Sequence, residues 1–130
     1  MKVFSSLIAV LLALAFSLPA VAAPLSPVGT WEIEFGDSRY EVTLCGDGTE
    51  LCGKLIWLGN GGDTPENLPY LNTLLIDHAK RLGPYRWRGD LNLWGQTATG
   101  TIDLVSNDLF LTQGCVLFVI CRTYKFYRID

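Results

Sequence analysis

Apolar and polar residues alternate along two short segments that begin at residues 31 and 40, and this period of two predicts half-buried β-strands. Glu or Thr occupies the intervening positions, and Gly36-Asp37-Ser38 between the segments predicts a turn. The two segments are therefore expected to pair as a β-hairpin. The side chains expected to face the core are Trp31, Ile33, Phe35, Tyr40, Val42 and Leu44.

Five further segments are rich in apolar, aromatic and β-branched residues and are bounded by turn signals, which is typical of strands. Turns are expected near Gly95-Gln96 and near Ser106-Asn107-Asp108. With the first hairpin, these segments bring the predicted total to seven strands. The five segments are residues 51–58, 85–93, 97–104, 109–113 and 119–128.

The region 59–84 begins as a polar, glycine-rich loop and is ambiguous after it. As a helix, it would be capped by Asn72 and ended by Gly83-Pro84, with Leu71, Leu75, His78 and Leu82 on one face. As a strand, residues 73–78 would bring the count to eight. We favour the strand, because eight antiparallel strands can close a small barrel without exposed edges. The predicted fold is all-β, a small antiparallel up-and-down β-barrel of about eight strands.

Residues 1–22 predict a cleaved secretory signal peptide. Lys2 supplies the positive start, residues 3–18 the apolar core and Ala20-Val21-Ala22 the small-residue cleavage pattern. The apolar run of about 16 residues is shorter than the roughly 20 that span a membrane. We therefore expect a periplasmic or secreted protein that does not span a membrane, with residues 23–130 as a single β-barrel domain.

The charge balance restricts the partners of this expected mature chain. The full sequence carries 10 Lys and Arg against 13 Asp and Glu, and the removed segment contains only Lys2 of these, so the net charge becomes about −4. A chain of this sign has no general attraction to nucleic acid. No nucleic-acid partner is expected.

An even number of cysteines in a small exported domain predicts disulfides. Three pairings of Cys45, Cys52, Cys115 and Cys121 are possible. We favour Cys45 with Cys52 and Cys115 with Cys121, because each pair brackets a short hairpin-like segment, and the first contains an Asp-Gly turn signal. The spacings differ from those of structural zinc sites, so no metal is expected.

Few residues have the character of a catalytic centre. His78 is the only histidine and would have no free cysteine to activate, and Asp77 beside it forms no recognised nucleophile motif. Asp63 and Glu66 lack the ligand spacing of a calcium loop. The glycine-rich stretch at 59–62 lacks the Lys-Ser or Lys-Thr that follows phosphate-binding loops. Neither an enzyme nor a bound cofactor is expected.

Two short segments are candidate binding sites. In Arg86-Trp87-Arg88, alternation places Trp87 on one face and both arginines on the other, where two guanidinium groups could hold a carboxylate or phosphate. Within the long loop, Leu68 and Tyr70 form an apolar tip that could contact a partner. The remaining aromatic residues are expected in the core: Trp57, Trp94, Phe110, Phe118, Tyr124 and Phe126.

The first and last predicted strands carry Gly29-Thr30-Trp31 and Arg128. This pairing resembles the lipocalin-like barrels, in which a Gly-x-Trp tryptophan lies under an arginine of the final strand and closes one end. The resemblance implies that Gly29, Trp31 and Arg128 close the barrel here.

A second resemblance covers nearly the whole mature chain. In order, the segments are GTW at 29–31, LCGKLIWL at 51–58, YRWRGDL at 85–91, GQTATGTIDL at 95–104 and LFLTQGC at 109–115, with a second cysteine and YR after them. This order resembles the bacterial exported family catalogued as domain of unknown function 2147, which implies a small periplasmic β-barrel and no established activity. The segment after the loop lacks the Arg-Pro-Leu element of typical members.

Two functions are compatible with these patterns. In the first, the barrel holds a small apolar or amphipathic ligand, with the loop at 59–72 as a lid. In the second, a solid barrel binds another exported macromolecule through its loops, as an inhibitor or envelope protein. Binding of either kind is expected.

Overall fold

A computed structural model describes residues 15, 17, 23–93, 95–116 and 119–130. The chain forms a closed barrel in which each strand pairs with its sequence neighbours and β1 pairs with β8, all antiparallel. This confirms the predicted all-β up-and-down barrel. The strands are β1 Gly29–Ile33, β2 Ser38–Cys45, β3 Glu50–Leu58, β4 Leu74–Gly83, β5 Arg86–Leu93, β6 Gln96–Ser106, β7 Leu109–Val116 and β8 Ile120–Arg128.

Some sequence predictions lie outside the described residues. These are the signal peptide, apart from positions 15 and 17, and the core placement of Trp94 and Phe118. Within the described residues, no helix is long and apolar enough to cross a membrane.

The two ends of the barrel differ in what they carry. At one end, called the closed end below, β1 begins, β8 ends, and the β2–β3, β4–β5 and β6–β7 turns lie. At the other, the open end, lie the β1–β2, β5–β6 and β7–β8 turns and the long β3–β4 loop of residues 59–73. The candidate site described below is at the open end.

The core is densest towards the closed end and is built on aromatic rings. Trp31 packs edge-on against Phe110 with 4.6 Å between ring centroids, and Phe110 stacks on Phe126 at the same separation. Tyr40 meets Phe126 edge-on at 5.3 Å. Such pairs add to the stabilisation from buried apolar area. The other buried members of this core cluster, among the described residues, are Val42, Leu51, Leu55, Ile76, Ala79, Trp87, Leu91, Ile102 and Leu104.

Strand β4 resolves the ambiguous region in favour of a strand, and it extends to Gly83, beyond the predicted end at His78. Ile76 and Ala79 both face the core although they lie three positions apart along the strand, because the pairing with β5 shifts between Asp77 and Lys80. His78 lies in this irregularity with φ 51°. A β-bulge adds one residue to the strand, and this breaks the period-two pattern. The apolar spacing therefore resembled that of a helix.

Three predicted core positions are wrong. Leu44, the next-to-last residue of β2, is 40% exposed. Strand β1 ends at Ile33, so Phe35 lies in the turn and is 62% exposed. Trp57 is half-buried on the outer face, where the Arg39 guanidinium lies 4.2 Å from its ring centroid. A register shift in the β2–β3 pairing at Arg39/Tyr40 sets Arg39 opposite Trp57 and Tyr40 opposite Leu55, which adds a residue between the two β3 positions and reverses the face of Trp57.

Candidate functional site

The closed end is closed by Arg128. Its guanidinium carbon lies 4.4 Å from the Trp31 ring centroid, and its nitrogens donate hydrogen bonds to three backbone carbonyls, those of Ser26, Val28 and Asn107. Trp31 is fully buried and donates through Nε1 to the Pro27 carbonyl at 2.9 Å. The predicted cation–π stack is therefore present, and one side chain also ties together segments from both ends of the chain.

Gly29 completes the closed end. Its φ of 149° is one that residues with side chains rarely adopt, and a Cβ there would collide with the Arg128 guanidinium. Glycine is thus required at this position both by the backbone conformation and by the arginine packed against it. All three residues of the predicted closing set meet in space.

The open end contains a cavity of about 260 Å³. It lies inside the barrel above the aromatic core and reaches the rim, and its walls are mostly apolar. A small barrel with this interior has room for one small molecule. The cavity is lined by Ile33, Phe35, Asp37, Ser38, Tyr40, Leu75, Leu91, Thr112, Gly114, Val116, Ile120, Arg122, Tyr124 and Phe126.

Glycines on β5, β6 and β7 let neighbouring groups approach closely on the inner face of the barrel. Gly89 pairs with Gly100, and Gly100 pairs with Gly114, so three glycines form a row. A Cβ at Gly89 would overlap Ala79, and a Cβ at Gly100 would overlap the Leu91 side chain, which leans across the row. Gly114 is the member of the row that lines the cavity, and it adds no side chain to the wall.

The interior polar groups of the cavity are hydroxyls. The Tyr40 hydroxyl donates to Ser38 Oγ at 2.9 Å, and Thr112 is buried nearby in the wall. Burial raises the pKa of Tyr40 above its ordinary value, the hydrogen bond with Ser38 opposes this in part, and the Asp37 carboxylate adds to the rise. Tyr40 is therefore a neutral hydrogen-bonding group at physiological pH.

Arg122 lies on the rim of the cavity. The alternating residues of β8 that face inward are Ile120, Arg122, Tyr124 and Phe126, all of which line the cavity. Among the described residues, no hydrogen bond or ion pair engages the Arg122 guanidinium, in contrast to Arg128 on the same strand. The sequence analysis missed Arg122, although alternation along β8 is the signal that places it inside.

The β3–β4 loop folds over part of the open end. It contains a short 3₁₀ helix, Leu68–Tyr70, and its residues Tyr70 and Leu71 pack against the core, as does Leu75 of β4. Only about 10 Å³ remains between Tyr70 and the residues below it, so this contact is tight. Of the predicted apolar tip, Leu68 is exposed and Tyr70 is half-buried against the barrel. The two residues therefore do not form one shared contact surface.

Both favoured disulfides are present and confirm the predicted pairing. Cys45–Cys52 joins β2 to β3 at the closed end, and Cys115–Cys121 joins β7 to β8 at the open end. No cysteine is free. The second disulfide lies beside the cavity, because Val116 and Ile120 between its two cysteines both line the wall.

The cluster Arg86-Trp87-Arg88 takes the predicted alternating arrangement without converging on a shared site. Trp87 is buried and donates through Nε1 to the Thr49 carbonyl at 2.9 Å. Arg86 pairs with Asp103 through two hydrogen bonds, and this partner raises the pKa of Arg86. Arg88 borders an open depression on the outer face of β5–β7. One of the two arginines is thus already engaged by a carboxylate.

The fold brings His78 to the Cys45–Cys52 disulfide, a proximity that the sequence did not indicate. The histidine nitrogen and both sulfurs lie within 4.8 Å of one another. The sulfurs are bonded to each other, and His78 Nδ1 contacts Asp77 Oδ1 at 2.7 Å. With both thiols oxidised, this cluster offers one imidazole and no thiolate to a metal ion.

Comparison with protein-family models found no matching family, and comparisons with curated proteins and with solved structures found no similar protein.

Proposed function

We propose that this protein is an exported binding protein that holds one small apolar or amphipathic molecule in the open-end cavity. The cavity itself carries the proposal: about 260 Å³ of mostly apolar space, lined from several strands and reached from one rim. Concave, largely apolar sites with a few placed polar groups are the usual form of small-molecule sites. The role is one of binding, without catalysis.

The cavity volume limits the size of the ligand. A dry protein cavity of ~150 Å³ holds a benzene molecule, which has six carbon atoms. By the same scale, the space here of about 260 Å³ holds about ten non-hydrogen atoms. The β3–β4 loop packs against the core through Tyr70 and Leu71, and its residues are not among those that line the cavity.

Export is part of the proposal. It is supported by the signal-like residues 1–22 and by the two disulfides, which persist in oxidising compartments. Membership in the family of domain of unknown function 2147 remains a proposal that rests on the quoted sequence segments. It agrees with the barrel and adds no ligand.

Native mass spectrometry of the protein purified from a periplasmic extract tests the proposal. We expect a bound small molecule, seen as mass beyond that of the oxidised chain. Val116→Trp and Leu75→Trp fill the cavity from different strands and should remove this extra mass. Val105→Trp is the matched control, since Val105 is 53% exposed and lies outside the cavity wall. A bare wild-type chain, or retention in both filled variants, would contradict the proposal.

A second function, binding of a macromolecule through the open-end loops, is favoured by one observation. Four large apolar side chains are exposed around this end: Phe35, Leu68, Val119 and Ile120. Exposed apolar patches often mark protein contacts. In this case the same mass spectra should show a second protein chain bound to the wild type. The double variant Phe35→Ser, Val119→Ser should lose this chain, and Val116→Trp should still bind it.

A further inference from the structure

We infer that the ligand is a monoanion with an apolar body, and that Arg122 binds its anionic group at the rim of the cavity. This inference rests on the proposed function. The chemical class it names is a small carboxylate amphiphile of about ten non-hydrogen atoms, as judged from the cavity of about 260 Å³.

The position of Arg122 is the first argument. Inward-facing positions of a small barrel are normally apolar, and β8 follows this rule at Ile120, Tyr124 and Phe126. Two arginines interrupt the inward row, one near each end of the strand. Arg128 at the closed end is satisfied by Trp31 and by three carbonyls. Arg122 has the same orientation and no partner among the described residues.

The geometry of a guanidinium is the second argument. Its donors form a planar fork that matches both oxygens of a carboxylate, and such paired hydrogen bonds are stronger than neutral ones. An anionic group bound there would leave the rest of the molecule directed towards Phe126 and Leu91 in the apolar part of the wall. The exposure of Arg122 allows the charged group to remain partly hydrated, so its desolvation costs little.

Asp37 allows the sign of the ligand charge to be tested. Among the described residues that line the cavity, Asp37 is the only other charged one, and it lies on the β1–β2 side of the rim. Its carboxylate would repel an anion and attract a cation. Neutralising Arg122 and neutralising Asp37 should therefore change affinity in opposite directions, and the direction reveals the charge of the preferred ligand.

Calorimetric titration of the purified full chain with octanoate, 1-octanol and octylammonium separates the possibilities. We expect octanoate to bind most tightly, and Arg122→Gln to weaken octanoate about tenfold while leaving octanol unchanged. Arg122→Lys should recover part of the loss, because it restores charge without the fork. Asp37→Asn should bind octanoate at least as tightly as the wild type. Lys125→Gln, which removes a positive charge from the outward face of the same strand and outside the cavity, should have no effect.

Three results would contradict the inference. If octanol binds as tightly as octanoate and Arg122→Gln changes neither affinity, the cavity binds apolar molecules. The inferred anionic group of the ligand is then wrong. If octylammonium binds most tightly and Asp37→Asn abolishes its binding, the preferred ligand is a cation and the inferred charge of the ligand is wrong. If none of the three compounds binds to a folded wild-type chain, the proposed function itself fails and the inference with it.

Discussion

The guanidinium of Arg128 lies over the indole of Trp31, 4.4 Å from its ring centroid, and joins the last strand of the barrel to the first. The two residues are also direct partners in the β1–β8 register. A side chain near the end of the chain thereby covers a fully buried tryptophan near its start. This contact closes one end of the barrel, and the cavity lies at the other.

Replacing Arg128 should destabilise the barrel. Arg128→Ala removes a cation–π contact and donors to three carbonyls, for an expected loss of about 2 kcal/mol in the free energy of unfolding. Arg128→Lys should recover only a minor part, because the ammonium lacks the fork. Urea unfolding checks this, with Arg88→Ala as the exposed control. Equal stability of Arg128→Ala and wild type would show that the closed end does not depend on this residue.

The two disulfides should differ in their effect on binding. Each closes a short loop, so replacing either pair by serine should lower stability by about 2 kcal/mol. Only the Cys115–Cys121 pair holds residues that line the cavity. Its loss should therefore weaken octanoate binding, whereas loss of Cys45–Cys52 at the closed end should not. Calorimetry on both double variants tests this. An equal effect of the two replacements on octanoate binding would show that the Cys115–Cys121 disulfide has no specific role in the site.

Stability should fall above the ordinary pKa of tyrosine because of Tyr40. Burial raises the pKa of Tyr40 in the folded state, so below about pH 10 its contribution to stability is fully present. As the pH rises through the raised value, the unfolded chain ionises first and this contribution is lost. Tyr40→Phe should therefore lose less stability than wild type between neutral and strongly alkaline pH. Parallel pH profiles of the two proteins would refute this.

The effect of a substitution at His78 on stability should depend on the shape of the new side chain. With φ 51°, the position suits Asn or Gly and disfavours a β-branched residue. His78→Val should be about 1 kcal/mol less stable than His78→Asn, although both remove the exposed contact with Asp77. Denaturant unfolding of the two variants makes the comparison. Equal midpoints and slopes would mean that the bulge in β4 relaxes without cost.

Most of the barrel could be predicted from local pattern. Alternation placed Tyr40, Val42 and Trp87 correctly because each side chain's face is set by its position along a regular strand. Prediction failed at Phe35, Leu44 and Trp57, and it ended β4 too early at His78. Two strand ends and two shifts of register lie at these places, and both features depend on the partner strand.

The sequence by itself determined the fold class, the residues that close the barrel and the favoured cysteine pairs. The fold class follows from alternation and turn signals, and the favoured cysteine pairs follow from the short segments between the cysteines. The closing residues follow from the resemblance to lipocalin-like barrels. Only the tertiary structure decided that the upper interior is unfilled and that Arg122 faces it. The free volume depends on how completely side chains from many strands fill the same level of the barrel. No single stretch of sequence specifies this.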